Sequence, residues 1–390
     1  MNALSQTGPL EGLRVVEMAG IGPGPFAAKF LAEMGADVVR IDRPGGNGWF
    51  TGLEHKDQLN RGKRSVLLDL HEGGDRATAR WLIERADVLI EGYRPGVMER
   101  VGLGPDTFSA TNPGLIYGRM TGWGQDGPLA PAAGHDIDYV AITGLLDAIG
   151  QAGGPPVVPL NVAGDFGGGG AYLVIGVLAA LHERTRSGTG QVVDAAIVDG
   201  AAHLLNGVHA MLAVGGWPGS RGENLLDGGA PFYGVYRTSD DRYMAVGALE
   251  PKFYAALLEG LGLDLDRSTQ NDPRTWADLK EALAARFLTR TQDEWCAVFG
   301  GTDACVAPVA GLRAAIAHPH IAARRTLLDV DGVLQAAPAP RFGRTRSALG
   351  GTPPIPGADN AAVLADWGAG TSQHDPHGRN HITDPMRNHL

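Results

Sequence analysis

The sequence predicts an α/β fold: a large domain with a mostly parallel sheet covered by helices on both faces, joined to a smaller α+β domain. Three observations carry this. Short apolar runs alternate with longer helical runs up to about residue 195. The first of them form a strand, glycine turn, helix and second strand in direct succession. A stretch dense in Gly and Pro, residues 215–231, then separates this region from one that begins with hairpin-like alternation. At 390 residues the chain is too long for one simple core, so two domains are expected. We place the large domain at 1–200, a linker helix and loop at 201–224 and the small domain at 225–330.

The opening strand is Leu13 to Met18, followed by Gly20-Ile21-Gly22-Pro23-Gly24-Pro25 and a helical run from Phe26 to Met34. Val38 to Asp42 is the next strand. Gly20 and Gly22 fit the first two glycines of a dinucleotide-binding G-x-G-x-x-G, but Pro25 stands where the third belongs and reads better as a helix-opening proline. Arg40, Arg43, Arg61, Lys63 and Arg64 gather five cations around strand ends, which suggests a seat for phosphates. Ordinary surface ion pairs are the alternative. Strands follow at Ser65 to Leu70, Asp87 to Glu91 and Leu115 to Met120, with a helix from Arg76 to Ala86. Arg94 sits just beyond a strand's C-terminal end, where open α/β sheets bind ligands, and is a second phosphate candidate.

After Val192-Val193-Asp194 an alanine-rich helical stretch runs to about Val214. Phe232 to Arg237 and Tyr243 to Ala248 read as an antiparallel pair, with helices at Glu250–Tyr254 onward, Thr275–Phe287, Thr291–Phe299 and Leu312–Ala317. Beyond Ala337 the chain turns proline-rich. The histidines His374, His377, His381 and His389 near the C-terminus lie among Asp, Pro, Gly and Asn and read as incidental rather than metal-binding.

Composition narrows the class. A formal charge of −10 argues against a nucleic-acid surface. No apolar run looks long enough to cross a bilayer, which takes about 18 residues, and Met1 to Gln6 has no signal-peptide character. Cys296 and Cys305 lack metal-ligand spacing and read as buried, reduced thiols, in keeping with a cytoplasmic location.

Two runs carry the chemistry. Gly134-His135-Asp136-Ile137-Asp138-Tyr139 places an imidazole beside a carboxylate. Asn161-Val162-Ala163-Gly164-Asp165-Phe166 leads through Gly167 to Gly170 into an apolar helix, Ala171 to His182, so Asp165 and bare backbone amides fall at an expected helix start. Titratable groups on two sides of a pocket, with exposed amides, suit proton transfer next to a carbonyl. Each residue also has a plain structural reading: His135 as an ordinary structural histidine, Asp165 as a helix N-cap and Glu250 as compensation for a helix dipole.

GIGPGPFAA (20–28), VVRIDRP (38–44), RGKRSVLLDL (61–70), GHDIDY (134–139), DFGGG (165–169), LDGGAPFY (226–233) and GALEPKFY (247–254) together resemble the α-methylacyl-CoA racemases of the family III CoA-transferase superfamily. The matches run in order from about residue 10 to 345. The resemblance implies a Rossmann-like large domain, completed by a returning segment at 331–390, and an interlocked homodimer whose active site is shared between subunits. It implies His135 and Asp165 as the acid/base pair, with Asp136 and Glu250 as supporting carboxylates, Glu250 orienting His135. Arg43 and the run Leu68, Asp69, Leu70 and His71 would meet the adenosine and phosphates of CoA, although relatives vary at the position of His71. Ile21, Arg94, Gly134, Ile137, Asp138 and Tyr139 complete the implied binding set.

The implied reaction interconverts (2R)- and (2S)-2-methylacyl-CoA thioesters by removing a proton from one face and returning it on the other, through an enolate. Amides at Asp165 and the following glycines would hold the enolate oxygen, and the glycines would leave room for the thioester. Such chemistry asks for no metal and no cofactor, since CoA is part of the substrate. A family III CoA-transferase using Asp165 as nucleophile is the alternative. Family transferases generally carry Gly-Tyr-Asp or a similar run where this chain has Gly134-His135-Asp136. A third reading is a catalytically silent CoA-thioester binding protein. The acyl chain itself has no legible code in the sequence.

Overall fold

In the computed structural model, which describes residues 8–46 and 50–369, the large domain is built from alternating strands and helices. These are β1 (Arg14–Met18), α1 (Pro23–Glu33), β2 (Asp37–Asp42), β3 (Arg64–Leu67), α2 (Gly73–Ile83), β4 (Val88–Glu91), α3 (Val97–Arg100), β5 (Ile116–Thr121), α4 (Asp136–Ile142), α5 (Tyr172–Ser187), β6 (Val192–Ala196), α6 (Ile197–Leu204) and α7 (Asn206–Ala213). The six strands pair in the order β3-β2-β1-β4-β5-β6, every pairing parallel.

Strands buried on both faces read as continuous apolar runs, which is why β1, β2 and β4 are so rich in Val and Ile. Val15, Val38, Val88, Ile90 and Ile116 point to one face, where α1 and α5 supply Ala27, Leu31, Leu173 and Val177. Val16, Val39, Val66, Leu89 and Tyr117 point to the other, against Leu82 and Ile83 of α2 and Met98 of α3. Burying each such Val, Leu or Ile contributes about 1.5–3 kcal/mol.

The small domain holds β7 (Tyr233–Arg237), β8 (Tyr243–Gly247), α8 (Pro251–Leu261), α9 (Trp276–Phe287), α10 (Gln292–Phe299) and β9 (Val306–Pro308). Its antiparallel sheet, β7-β8-β9, covers an aromatic core of Phe232, Tyr236, Phe287, Trp295 and Phe299. After it come α11 (Pro319–Arg324), a hairpin of β10 (Leu327–Val330) and β11 (Val333–Ala336), and α12 (Asn360–Ala369). Val363 and Trp367 of α12 are fully buried against the sheet. The segment leading into α12 covers the open edge of β3: Asp359 Oδ2 accepts from Ser65 N at 2.8 Å and Asn360 Oδ1 from Leu67 N at 2.9 Å. An uncovered edge strand is a site for unwanted pairing, and here side chains occupy it.

Several expectations are corrected. Pro23, not Pro25, opens α1, with Gly22 before it at φ +69°. Helix α2 starts at Gly73, and β3 ends at Leu67, because Asp69, Asp75 and Arg76 close the chain into a turn there. The short strands β9, β10 and β11 were not legible, and the expected helix at 312–317 is a single turn at Ala315–Ala317. The Gly- and Pro-rich 215–231 stretch is a loop held by its own side chains. Asp227 accepts from the amides of Gly222, Asn224 and Gly229, and buried Asn224 bonds back to Ser220. Cys305 is exposed and Cys296 half-buried, so the thiols are not core residues. The four C-terminal histidines lie outside the described residues.

The largest correction concerns the glycine run. A single helix spans Leu160 to Ser187, and residues Ala163–Ala171 form a π-helical segment inside it. Joining the two apolar stretches makes this helix long and apolar enough to cross a bilayer by length and composition alone, with mean hydropathy 1.4 and 39% of the apolar window buried in the fold.

Candidate active site

Many of the candidate binding residues fall beyond the C-terminal ends of the parallel strands, where such sheets take ligands. Ile21 follows β1, Arg43 follows β2, Leu68 to His71 follow β3 and Arg94 follows β4. The chain reverses direction across the sheet between β1 and β4, and this is the crevice where doubly wound folds take ligands.

Only part of the expected phosphate seat survives. Four of the five cations are engaged inside the protein: Arg40 with Asp42 at 3.1 Å, Arg61 with Glu33 and Gln335, Lys63 with Glu17 at 2.5 Å, and Arg64 with Asp37 and Asp366. A strand-end cation that must leave water is stabilised by pairing, and the cluster is therefore largely architectural. Arg43 is exposed, its charge acting on Tyr93, and Arg94 is exposed with its charge acting on Tyr139. Leu68 is buried in the core, whereas His71 is exposed.

His135 stands in extended backbone at the start of α4 and is exposed to solvent. Its amide donates to Asp138 Oδ2 at 2.9 Å, a reciprocal cap that holds the helix start. Asp138 is thereby committed to the fold. Tyr139 is buried, donates its hydroxyl to Gly134 O and meets Trp123 edge-on at 4.7 Å, which fastens the 122–135 loop onto α4. Burial pushes the Tyr139 phenol up to about 12, and Asp165 adds to the shift. Ile137 and Ile21 present 42% and 73% of their surface.

Asp165 lies in the second turn of the long helix, five residues past its start at Leu160. Asp136, one residue after His135, is buried; its carboxyl interacts with the Gly164 amide, and its Oδ1 accepts from Asp165 N at 2.7 Å. That amide is taken, so the enolate cannot use it as expected. The glycines also do other work. A Cβ on Gly168 would lie 2.7 Å from Ala201 N of α6, and one on Gly170 would lie 2.9 Å from Pro23 O. They let helices pack backbone to backbone rather than clear a path for substrate.

The carboxylate of Asp165 touches Gly22, whose added Cβ would sit 3.2 Å from Oδ2, and accepts from Asn161 Nδ2 at 3.2 Å. Burial raises the Asp165 carboxyl above its ordinary range; Asn161 lowers it, Asp136 raises it and His135 lowers it. The last two effects place His135, Asp136 and Asp165 in one electrostatic group. The sequence assigns Asn161 no role, although its i, i+4 spacing to Asp165 is a signal for such a bond. Glu250 is elsewhere in this chain. It precedes α8, and its charge acts on Cys305.

Asp136→Ala is expected to leave two buried amides unpaired, at about 1–3 kcal/mol for each group stranded. The thermal midpoint should fall and turnover with it. Asp136→Asn keeps an acceptor oxygen and should recover most of the stability; equal losses in both variants would remove the capping role.

Fold and site together define a CoA-transferase family III protein. The sequence profile of that family matches residues 10–360, and the chain belongs to the family. Within it, the chain is 44% identical over 362 residues to "Alpha-methylacyl-CoA racemase" of Mus musculus, covering 92% of this chain and 93% of the relative. It is 46% identical over 312 residues to the protein of the same name from Homo sapiens, covering 80% of each. A CAIB/BAIF family protein from Brucella suis has a similar structure, with a TM-score of 0.79, 28% identity and coverage of 93% of this chain and 100% of that one.

Proposed function

We propose that the protein is an isomerase interconverting (2R)- and (2S)-2-methylacyl-CoA thioesters by proton transfer at the carbon beside the thioester carbonyl. The observation that carries this is the hydrogen bond from Asp165 N to Asp136 Oδ1 at 2.7 Å, which holds the residue after exposed His135 against the backbone of half-buried Asp165 and so sets an imidazole and a carboxyl beside one another. A two-base exchange needs one group that removes a proton and another that already carries one. The similarity to curated racemases at 44% and 46% identity supports the same reading. Acid/base exchange of this kind asks for no metal or redox cofactor, and we place the enzyme in cytoplasmic branched-chain lipid metabolism.

In this reading the CoA phosphates lie along Arg43 and Arg94, and the acyl chain leaves the crevice over the apolar rim of Ile21 and Ile137. Asp165 and His135 flank the α-carbon. The active unit is a homodimer in which Glu250 of one subunit supports His135 of the other. Two features support the dimer. Helix α7 buries none of its residues, and Leu204, Leu212 and Val214 expose 51%, 53% and 82% of their surface, an apolar area of the kind that seats a partner.

The test is NMR of a single-enantiomer 2-methylacyl-CoA in deuterium oxide, with no acceptor acid. Deuterium should enter the α-position with loss of optical purity. Absence of exchange, with CoA transfer appearing once a free acid is added, would instead make Asp165 a nucleophile. Arg43→Ala is expected to raise KM with kcat nearly unchanged, because a phosphate contact remote from the α-carbon binds ground and transition states alike. An unchanged KM would move the phosphate seat away from Arg43.

A further inference from the structure

We propose that Lys63 is a positioning residue for the acid/base centre: its buried ammonium ties the first turn of α1 to β1 and so fixes the wall against which Asp165 rests. The Lys63 side chain is fully buried and meets three groups from three parts of the chain. Nζ lies 2.5 Å from Glu17 Oε2 in β1, donates to Pro25 O in the first turn of α1 at 3.0 Å and donates to Asn60 Oδ1 at 3.1 Å. The charges of Arg40, itself paired with Asp42, and of Asp57 also act on it. Burial lowers the ammonium to about 8, with Glu17 opposing, so the proton that makes the pair is present at neutral pH.

From Pro25 the path to the site is short. Gly22, just ahead of α1, touches the Asp165 carboxylate, and Pro23 packs on Gly169 and Gly170 of the helix that carries Asp165. Phe26 in the same turn meets Phe166, the residue after Asp165, with ring centroids 4.9 Å apart. Stability alone gives little reason for such a pair, since apolar side chains of similar volume usually serve a core as well as a buried ion pair. An apolar side chain has no donor for the Pro25 carbonyl. The tether sets where the start of α1 stands, and with it the gap between Gly22 and Asp165.

This inference rests on the racemase reading for its effect on turnover, but the tether has a readout of its own. In the double variant Glu17→Gln/Lys63→Met, which strands no charge, amide hydrogen exchange over residues 22–28 should quicken about tenfold while the thermal midpoint holds or rises. Turnover for α-proton exchange should fall about tenfold or more with KM within about twofold, as expected when reacting groups are displaced but binding is kept. Glu17→Gln alone strands the Lys63 ammonium and should lower the thermal midpoint. It keeps the bond from Lys63 to Pro25, so amide protection over 22–28 relative to the rest of the chain, and kcat below the midpoint, should stay near wild type. Unchanged amide protection over 22–28, or unchanged kcat in a stable double variant, would overturn the proposal. If the double variant does not fold, Glu17→Leu/Lys63→Leu, which also strands no charge and offers no donor to the Pro25 carbonyl, gives the same comparison. Wild-type protein without α-proton exchange would remove the racemase reading, and the tether would then stand or fall on amide exchange alone.

Discussion

Asp165→Asn is expected to stop racemisation while making the folded protein more stable at neutral pH. General acid/base groups typically contribute about 10²–10⁴-fold, so the loss should lie in that range. Deuterium wash-out should survive for one enantiomer only, because His135 can still remove and return a proton on its own face. His135→Ala should show the mirror-image pattern. The stability gain follows from linkage. Burial, the largest cause, raises the Asp165 carboxyl above its unfolded value of 3.8. A group raised in this way contributes stability below the unfolded pKa and loses it as pH rises through the folded one. At pH 7 the buried charge therefore opposes folding, and asparagine relieves it while keeping an oxygen for Asn161. The thermal midpoint of the variant should exceed wild type near neutrality, the gap closing on acidification below about pH 4. Exchange of both enantiomers in either variant would end the two-base assignment. A midpoint gain independent of pH would end the electrostatic one.

The second large effect tests the proposed sharing of the site between two subunits. His135→Ala and Glu250→Ala homodimers should each be impaired, but a heterodimer carrying one mutation on each subunit should regain activity. In a two-fold assembly with sites shared across the interface, one site then has both wild-type groups and the other has neither. Heterodimers purified through two different tags after co-expression should therefore turn over at about half the wild-type rate. Sites made wholly within one chain would instead leave each heterodimer with a His135-deficient site and a Glu250-deficient site. Activity would then not rise above the average of the two homodimers.

The two runs that matter, 134–139 and 161–170, could be found in the sequence because each pairs titratable residues with glycines in a pattern that ordinary helices avoid. Their local geometry could not. The glycine run reads as a helix start because glycine is a poor helix former, yet Gly168 and Gly170 sit inside a helix where neighbouring backbone leaves no room for a Cβ. The ion pairs at the strand ends are illegible for a related reason: a count of cations carries no information about their partners. Glu17, Glu33 and Asp37 lie 46, 28 and 27 residues before the cations they neutralise.

Composition and periodicity were enough to read an α/β chain, its apolar parallel strands and a smaller α+β region, and local motifs were enough to single out 134–139 and 161–170, because these depend on which residues are neighbours along the chain. Tertiary structure alone decided that Asp136 caps the amide of Asp165, that Gly22 touches the Asp165 carboxylate, and that Arg43 stays in solvent while Lys63 is buried. Those facts depend on contacts between segments far apart in sequence. Whether a charge binds a ligand or supports the fold is settled by the distant group placed next to it.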